Sequence, residues 1–185
     1  MTLHYSQLLK PPQIMGHSGF YNSSFQLELK GDGDSSLIYY TTDGSEPSLS
    51  SQKYRSPILI ENNESGKQRL AFIPTSPRWK PPVGDVFKGV VLRVIQVDGN
   101  NAKSKELIKT FFISKEGNKR YSLPVIAITI NEKDFFGYNN GIYVLGKNYS
   151  DKNNYARKNI ALDLKWWEYP FNYLYCFKCG APNIE

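Results

Sequence analysis

Apolar and polar residues alternate along short stretches of the first two thirds of the chain, which is the pattern of half-buried β-strands. Phe25, Leu27 and Leu29 alternate with polar neighbours, so a strand there would turn one face to a core. The run Val90–Val97 is rich in branched apolar residues and is the strongest predicted strand. Further strands of similar composition are predicted at 37–42, 58–60, 70–73 and 107–113.

Turn-forming sequences separate these strands. The turn signals are Gly31-Asp32-Gly33-Asp34, then Asp43-Gly44 followed by Pro47, and finally Asp98-Gly99-Asn100-Asn101. Asp-Gly supplies positive-φ turn geometry, and proline cannot continue a hydrogen-bonded ladder. The proline-rich stretch 74–84 is therefore predicted to be a surface excursion. Short strands at this spacing, without a helical period, are typical of a two-sheet β-sandwich.

A different pattern begins after residue 120. The run 123–130 is nearly continuous in apolar residues, which is typical of a strand buried on both faces. Asn131 fits the N-cap of a single helical turn that reaches Phe136, and another strand is predicted at 142–145. A second core is thus predicted to start here.

The chain is therefore predicted to be mainly β and to have three parts. These are a leader segment at 1–11, a β-sandwich at 12–115 and an incomplete α+β segment at 116–185. The 185 residues allow one domain plus a remainder, since domains average about 100–150 residues. No run of 18 apolar residues exists, so no membrane span is predicted. The first 20 residues also lack the apolar segment of a signal peptide.

The formal net charge is +6, but the basic residues are scattered along the chain and form no cluster. We therefore predict no nucleic-acid partner, because such partners need a concentrated basic surface. A mild attraction to anionic polymers or cell walls stays open, since a positive field raises encounter rates without specifying a partner.

Three features that resemble reactive or metal sites are better explained as structure. Cys176 and Cys179 form a lone Cys-x-x-Cys, which would need further ligands or a βαβ context for metal or redox chemistry. The alternating carboxylates of 31–34 lack the twelve-residue calcium-loop pattern and fit a turn. His17 has no recognisable nucleophile beside it. We predict no metal and no cofactor.

The run 38–48 (IYYTTDGSEPS), with Ser51, Tyr54 and Pro57-Ile58 after it, resembles a known module. This module is the immunoglobulin-like chitobiase/β-hexosaminidase C-terminal domain. The resemblance implies an immunoglobulin or fibronectin III-like sandwich in which Asp43 and Gly44 form a tight turn. Ligand contact by Asp43 or Tyr40 is the alternative to a purely structural turn, because tyrosines near loops also line sugar-binding surfaces.

The segment that follows resembles the entry to spore-coat protein H-type (CotH) kinase proteins. The matching residues are Pro77, Trp79, Lys80, Pro82, Gly84, Lys88, Gly89, Arg93, Gly99 and Ser104, then 122–128, 135–136, 141–144, Gly146 and 167–173. That family continues with Arg-Gly-x-x-Trp-Glu-Arg-Pro and an atypical kinase-like fold that binds ATP and divalent metal. Here 174–185 match nothing in the pattern, so we expect a truncation before the kinase-like core, with 174–185 out of frame.

Phosphoryl transfer needs a phosphate cradle, a cation and a metal-binding carboxylate, and the sequence shows no such set. We therefore expect no enzyme. The expected function is a non-catalytic accessory sandwich that positions a kinase-like domain, at the cell surface or in a secreted protein as the resemblance implies. Two alternatives stay open, a carbohydrate-binding module for chitin or cell-wall glycans, and an inactive fragment of an ATP-dependent kinase.

The candidate glycan-contact residues are aromatic or lie in the turn motif. They are Tyr40, Asp43, Tyr54 and Trp79. The expected partners are the other domain of the parent protein and a glycan. Self-association is a third expectation, because the apolar run 123–130 would be exposed unless another surface covers it.

Overall fold

The computed structural model describes residues 9–33, 36–62, 69–123, 125–139, 141, 143–144 and 147, and the backbone of 165–167 and 174–178. The described chain is mainly β, as predicted, and divides into two compact units. Unit 1 contains the described residues up to Asn62 together with Gly89–Arg120. Unit 2 contains those of Asn63–Lys88 and those from Tyr121 onward. The domain boundaries proposed at 12–115 and 116–185 stay a prediction, and residues 1–8 of the leader lie outside the described residues.

Unit 1 is a sandwich of two β-sheets. Its strands are β1 (Gln13–Met15), β2 (Gly19–Tyr21), β3 (Phe25–Lys30), β4 (Leu37–Thr41), β5 (Gln52–Lys53), β6 (Ile58–Ile60), β7 (Val90–Val97) and β8 (Leu107–Ile113). One sheet has the order β1-β3-β6 and is antiparallel. The other has the order β2-β8-β7-β4-β5, and its strands are antiparallel apart from the parallel pair β2 and β8. The predicted sandwich is confirmed.

The core of unit 1 lies between the two sheets. In β3, Leu27 and Leu29 are buried while their polar neighbours are exposed, so the predicted alternation is confirmed. The three-stranded sheet also contributes Ile58 and Ile60 to the core. The five-stranded sheet contributes Ile38, Tyr40, Val90, Leu92, Val94, Phe111 and Ile113. Each such side chain stabilises the fold by about 1.5–3 kcal/mol through removal of its apolar surface from water.

The strand β7 is central in the five-stranded sheet, which explains its nearly continuous apolar sequence. It pairs with β4 in the register Leu37↔Val97 and with β8 in the register Val90↔Phe111. Residues on both of its faces are buried, from Leu92 through to Val97. The predicted bounds of β7 and β8 are those observed.

The strand predicted at 70–73 is wrong. Arg69–Phe72 forms a 3-10 helix with no buried residue, and the Ile73 amide donates to the Leu70 carbonyl at 3.3 Å. A four-residue segment followed by Pro74 has little room to pair in a ladder, so its backbone is satisfied locally instead. The stretch 74–84 forms no strand or helix, as predicted for a surface excursion.

Unit 2 contains a short helix α1 (Glu132–Phe136) and the strands β9 (Val125–Thr129), β10 (Lys165–Trp167) and β11 (Leu174–Lys178). β11 pairs in parallel with β9 and antiparallel with β10. The predicted helical turn is confirmed, although the Asn131 side chain makes no capping hydrogen bond. Of the strand predicted at 142–145, residues 142 and 145 lie outside the described residues, and 143–144 form a bend.

The prediction that 123–130 is buried on both faces is wrong. Ala127 and Thr129 are buried, but Ile126 and Ile128 on the opposite face of β9 are 51% and 53% exposed. The physical reason is that pairing with β11 satisfies the backbone within the plane of the sheet and covers neither face. An apolar run therefore identified a strand without fixing how many of its faces are covered.

Candidate ligand-binding site

A cleft lies at one edge of the unit 1 sandwich, where the chain crosses from one sheet to the other. β5 is the edge strand of the five-stranded sheet, and residues 54–57 connect it to β6 of the three-stranded sheet. The cleft has a volume of about 460 Å³, within the range of small-ligand sites. Its lining includes Tyr40, Gln52, Lys53, Arg55, Ser56 and Pro57.

The lining carries two cations and no carboxylate. Lys53 and Arg55 are exposed, and neither forms an ion pair with any residue that the structure describes. Thr42, Gln52 and Ser56 add neutral hydroxyl and amide groups to the same lining. The cleft therefore combines a positive potential with uncharged hydrogen-bonding groups, an arrangement that suits a polar ligand with negative charge.

Tyr40 forms part of the cleft wall from inside the core. The residue is only 6% exposed, and its ring belongs to the core cluster. Within the part of the chain that the structure describes, its hydroxyl makes no hydrogen bond. Burial raises the pKa of Tyr40, and the charge on Tyr54 raises the pKa further. The phenol is therefore neutral at ordinary pH and keeps a proton that it can donate to a ligand in the cleft.

Tyr54 links the two sheets and fixes the start of the crossing segment. Its Oη accepts a hydrogen bond from the Leu29 amide of β3 at 3.1 Å. Its own amide donates to the Ile38 carbonyl of β4 at 2.8 Å. The ring of Tyr54 packs against the core cluster, to which Tyr40 belongs. Tyr54 therefore holds Lys53 and Arg55, its neighbours in sequence, at the mouth of the cleft.

Asp43 is engaged in a tight turn. Its Oδ1 accepts hydrogen bonds from the Ser45 amide at 3.0 Å and from the Ser45 hydroxyl at 2.6 Å. Gly44 has a φ of 79°, and its amide donates to the Val91 carbonyl at 3.1 Å. The turn expected from the Asp-Gly pair is thus present. Ligand contact by Asp43 stays a prediction.

Trp79 belongs to unit 2, whereas Tyr40, Asp43 and Tyr54 belong to unit 1. It is half-buried, and its amide donates to the Ser76 carbonyl at 3.0 Å. Of the four residues predicted from the sequence, the cleft lining includes Tyr40 alone. Glycan contact by Tyr54 and Trp79 stays a prediction.

Sequence reasoning missed the two cations and Gln52. The available signal was the run Gln52-Lys53-Tyr54-Arg55, in which cations flank a candidate aromatic residue just before Pro57. Among the residues that the structure describes, no group of three or more His, Cys, Asp or Glu is placed to hold a metal ion. No helix in that part of the chain is long and apolar enough to cross a membrane.

The family model described as Fn3 associated matches residues 27–119, slightly more than half of the 185 residues. The chain belongs to the Fn3 associated family. The matched segment begins within β3 and ends after β8, so the cleft and the Asp43 turn both lie inside the Fn3 associated region. No curated protein and no solved structure matches the chain.

Proposed function

We propose that the chain is a non-catalytic accessory module of a CotH-type protein, in which the sandwich positions a kinase-like domain. The proposed location is the cell surface or a secreted protein. Membership of the Fn3 associated family supports the accessory-module part of this proposal. The CotH-type part depends on the sequence resemblance after residue 77.

The observation that carries the accessory role is the closed core of unit 1. Both sheets contribute buried side chains to one cluster, and Tyr54 bonds to β3 and β4 across the sandwich. A module with its own core can act as a spacer, because its packing does not depend on an attached domain.

Reading the source DNA beyond codon 185 in all three frames tests the CotH-type assignment. A continuation of the form Arg-Gly-x-x-Trp-Glu-Arg-Pro is expected, and its absence from every frame would contradict that assignment. A thermal-shift measurement of the 185-residue chain with ATP and Mg²⁺ tests the non-catalytic role. No change in melting temperature is expected, whereas a saturable rise would favour the kinase-fragment alternative.

A second candidate function, carbohydrate binding, is favoured by the cleft itself. The unpartnered hydroxyl of Tyr40 and the side chains of Gln52 and Ser56 present neutral hydrogen-bonding groups in one concave surface. NMR titration with chitin and cell-wall oligosaccharides should shift the amide signals of the cleft. Unchanged spectra at millimolar sugar would rule this candidate out.

A further inference from the structure

The two cations of the cleft indicate which class of saccharide the cleft would bind. This inference rests on the carbohydrate-binding function proposed above. Lys53 is the last residue of β5, and Arg55 follows two residues later on the crossing segment. Elsewhere in the described chain, Arg69, Arg93 and Arg120 each hold a carboxylate. Lys53 and Arg55 hold none of the described carboxylates, so the charge of both side chains is available to a ligand.

The remaining lining indicates a ligand that carries hydroxyl groups as well as charge. Thr42, Gln52 and Ser56 can each donate and accept hydrogen bonds, and Tyr40 contributes a hydroxyl that has no hydrogen-bond partner among the described residues. A ligand oxygen that accepts a hydrogen bond from the Tyr40 hydroxyl adds affinity. A bare inorganic anion would bind to the two cations but would leave the hydroxyl and amide groups of the lining without hydrogen-bond partners.

Nucleic acid suits this lining poorly. Single strands bind through bases that stack on exposed aromatic rings, and the one aromatic residue in the lining is Tyr40, whose ring lies in the core. Pro57, Ile58 and Leu59 instead supply small apolar surfaces beside the polar groups. Such surfaces can contact the apolar face of a sugar ring.

We infer that the cleft binds an acidic oligosaccharide, with Lys53 and Arg55 contacting its carboxylates and with Tyr40, Gln52 and Ser56 bonding its hydroxyls. Guanidinium pairs with carboxylate through two parallel hydrogen bonds, which gives geometric selectivity as well as charge. The affinity falls with added salt, because both cations lie at an exposed cleft.

Trigalacturonate is the test ligand, titrated into the full 185-residue chain while the cleft amides are followed by NMR. Two matched probes separate its properties. The methyl ester of trigalacturonate keeps the rings and removes the charge, and triglutamate keeps three side-chain carboxylates and removes the rings. Both probes are expected to bind at least about tenfold more weakly than trigalacturonate, since the methyl ester lacks the carboxylates that the cations contact and triglutamate lacks the ring hydroxyls.

The double variant K53Q/R55Q should weaken trigalacturonate binding by at least about tenfold. The control K30Q/K105Q removes the same charge from exposed positions of unit 1 outside the cleft lining, and should leave the affinity unchanged. Equal loss in both double variants would mean that net charge alone drives binding, and would overturn the inference.

The other outcomes separate this inference from the function on which it rests. Equal binding of the methyl ester would overturn the acidic selectivity while supporting carbohydrate binding. Equal binding of triglutamate would overturn the saccharide assignment. If neither trigalacturonate nor any neutral oligosaccharide bound, the inference and the carbohydrate-binding candidate would both fall.

Discussion

The guanidinium of Arg93 holds the carboxylate of Glu106 with two hydrogen bonds, from Nε to Oε1 at 2.5 Å and from Nη2 to Oε2 at 2.9 Å. The same guanidinium donates from Nη1 to the Gly44 carbonyl at 3.0 Å. The two side chains are only 6% and 17% exposed. One residue thus ties β7 to the segment before β8 and to the Asp43 turn.

Replacement of Arg93 by methionine should destabilise the sandwich by about 3–5 kcal/mol, because it removes the guanidinium that binds both the largely buried Glu106 carboxylate and the Gly44 carbonyl. Urea unfolding at neutral pH, followed by the NMR signals of unit 1, measures this loss.

The double variant R93M/E106L is the matched control for that experiment. It removes both charges, and paired apolar replacements of a buried ion pair are often nearly neutral. We expect it to recover most of the stability lost in R93M. A double variant as unstable as R93M would mean that the bond to the Gly44 carbonyl, and not the ion pair, carries the effect.

A side chain at Gly44 should destabilise the turn. The Gly44 φ of 79° lies in the left-handed region, and an added Cβ would lie 3.4 Å from the Cβ of Val91. Gly44→Ala should therefore cost about 1–2 kcal/mol, most of it from backbone conformation. Thermal unfolding measures the cost. Gly99→Ala is the comparison, since a Cβ at Gly99 would meet nothing within 4 Å, and it should change the melting temperature little.

The buried phenol of Tyr40 should make stability depend on alkaline pH. Because desolvation raises the pKa of Tyr40 in the folded state, the unfolded chain loses this proton first, at a pH of about 10. The stabilising contribution is therefore complete below pH 10 and is lost as pH rises through the folded pKa.

Tyr40→Phe lacks this titration, so the difference in unfolding free energy between the original chain and the variant should change above pH 10. Denaturant unfolding from pH 7 to 11 measures it. Tyr138→Phe makes the same replacement at an exposed ring and is the control. The same behaviour in both variants would show that burial of Tyr40 does not couple to folding.

Strands with a regular pattern could be predicted from the sequence, because alternation directly reports which face meets the core. β3 shows this with Leu27 and Leu29. β7 was predicted instead from its run of branched apolar residues, and both of its faces are buried. β1, β2 and β5 contain only two or three residues each, too few for a period to appear. Their positions depend on pairing with β3, β8 and β4, which are distant in sequence or separated by loops.

The candidate site was less accessible to sequence reasoning. Tyr40 was predicted from its position beside the turn motif, but the cleft depends on how the chain crosses from β5 to β6. Lys53 and Arg55 are candidate ligand-binding residues because that crossing places them in the cleft lining and because neither has a described carboxylate partner. Both properties depend on residues that are distant in sequence. Asp43 was predicted as a candidate contact residue from the Asp-Gly motif. In the structure that motif forms a turn, and Arg93 donates a hydrogen bond to the Gly44 carbonyl of this turn.

The exposed face of β9 should favour self-association of the full chain. Ile126 and Ile128 project from this face, each about half exposed, and paired exposed isoleucines on a strand are a recognised surface for association. I126K/I128K should lower the concentration dependence of the elution volume in size-exclusion chromatography, because lysines on such a strand resist docking. The control M15K/L49K adds the same charge at exposed apolar positions of unit 1 and should leave the elution of the chain unchanged. Monomeric elution of the original chain at every concentration would show that this face drives no association.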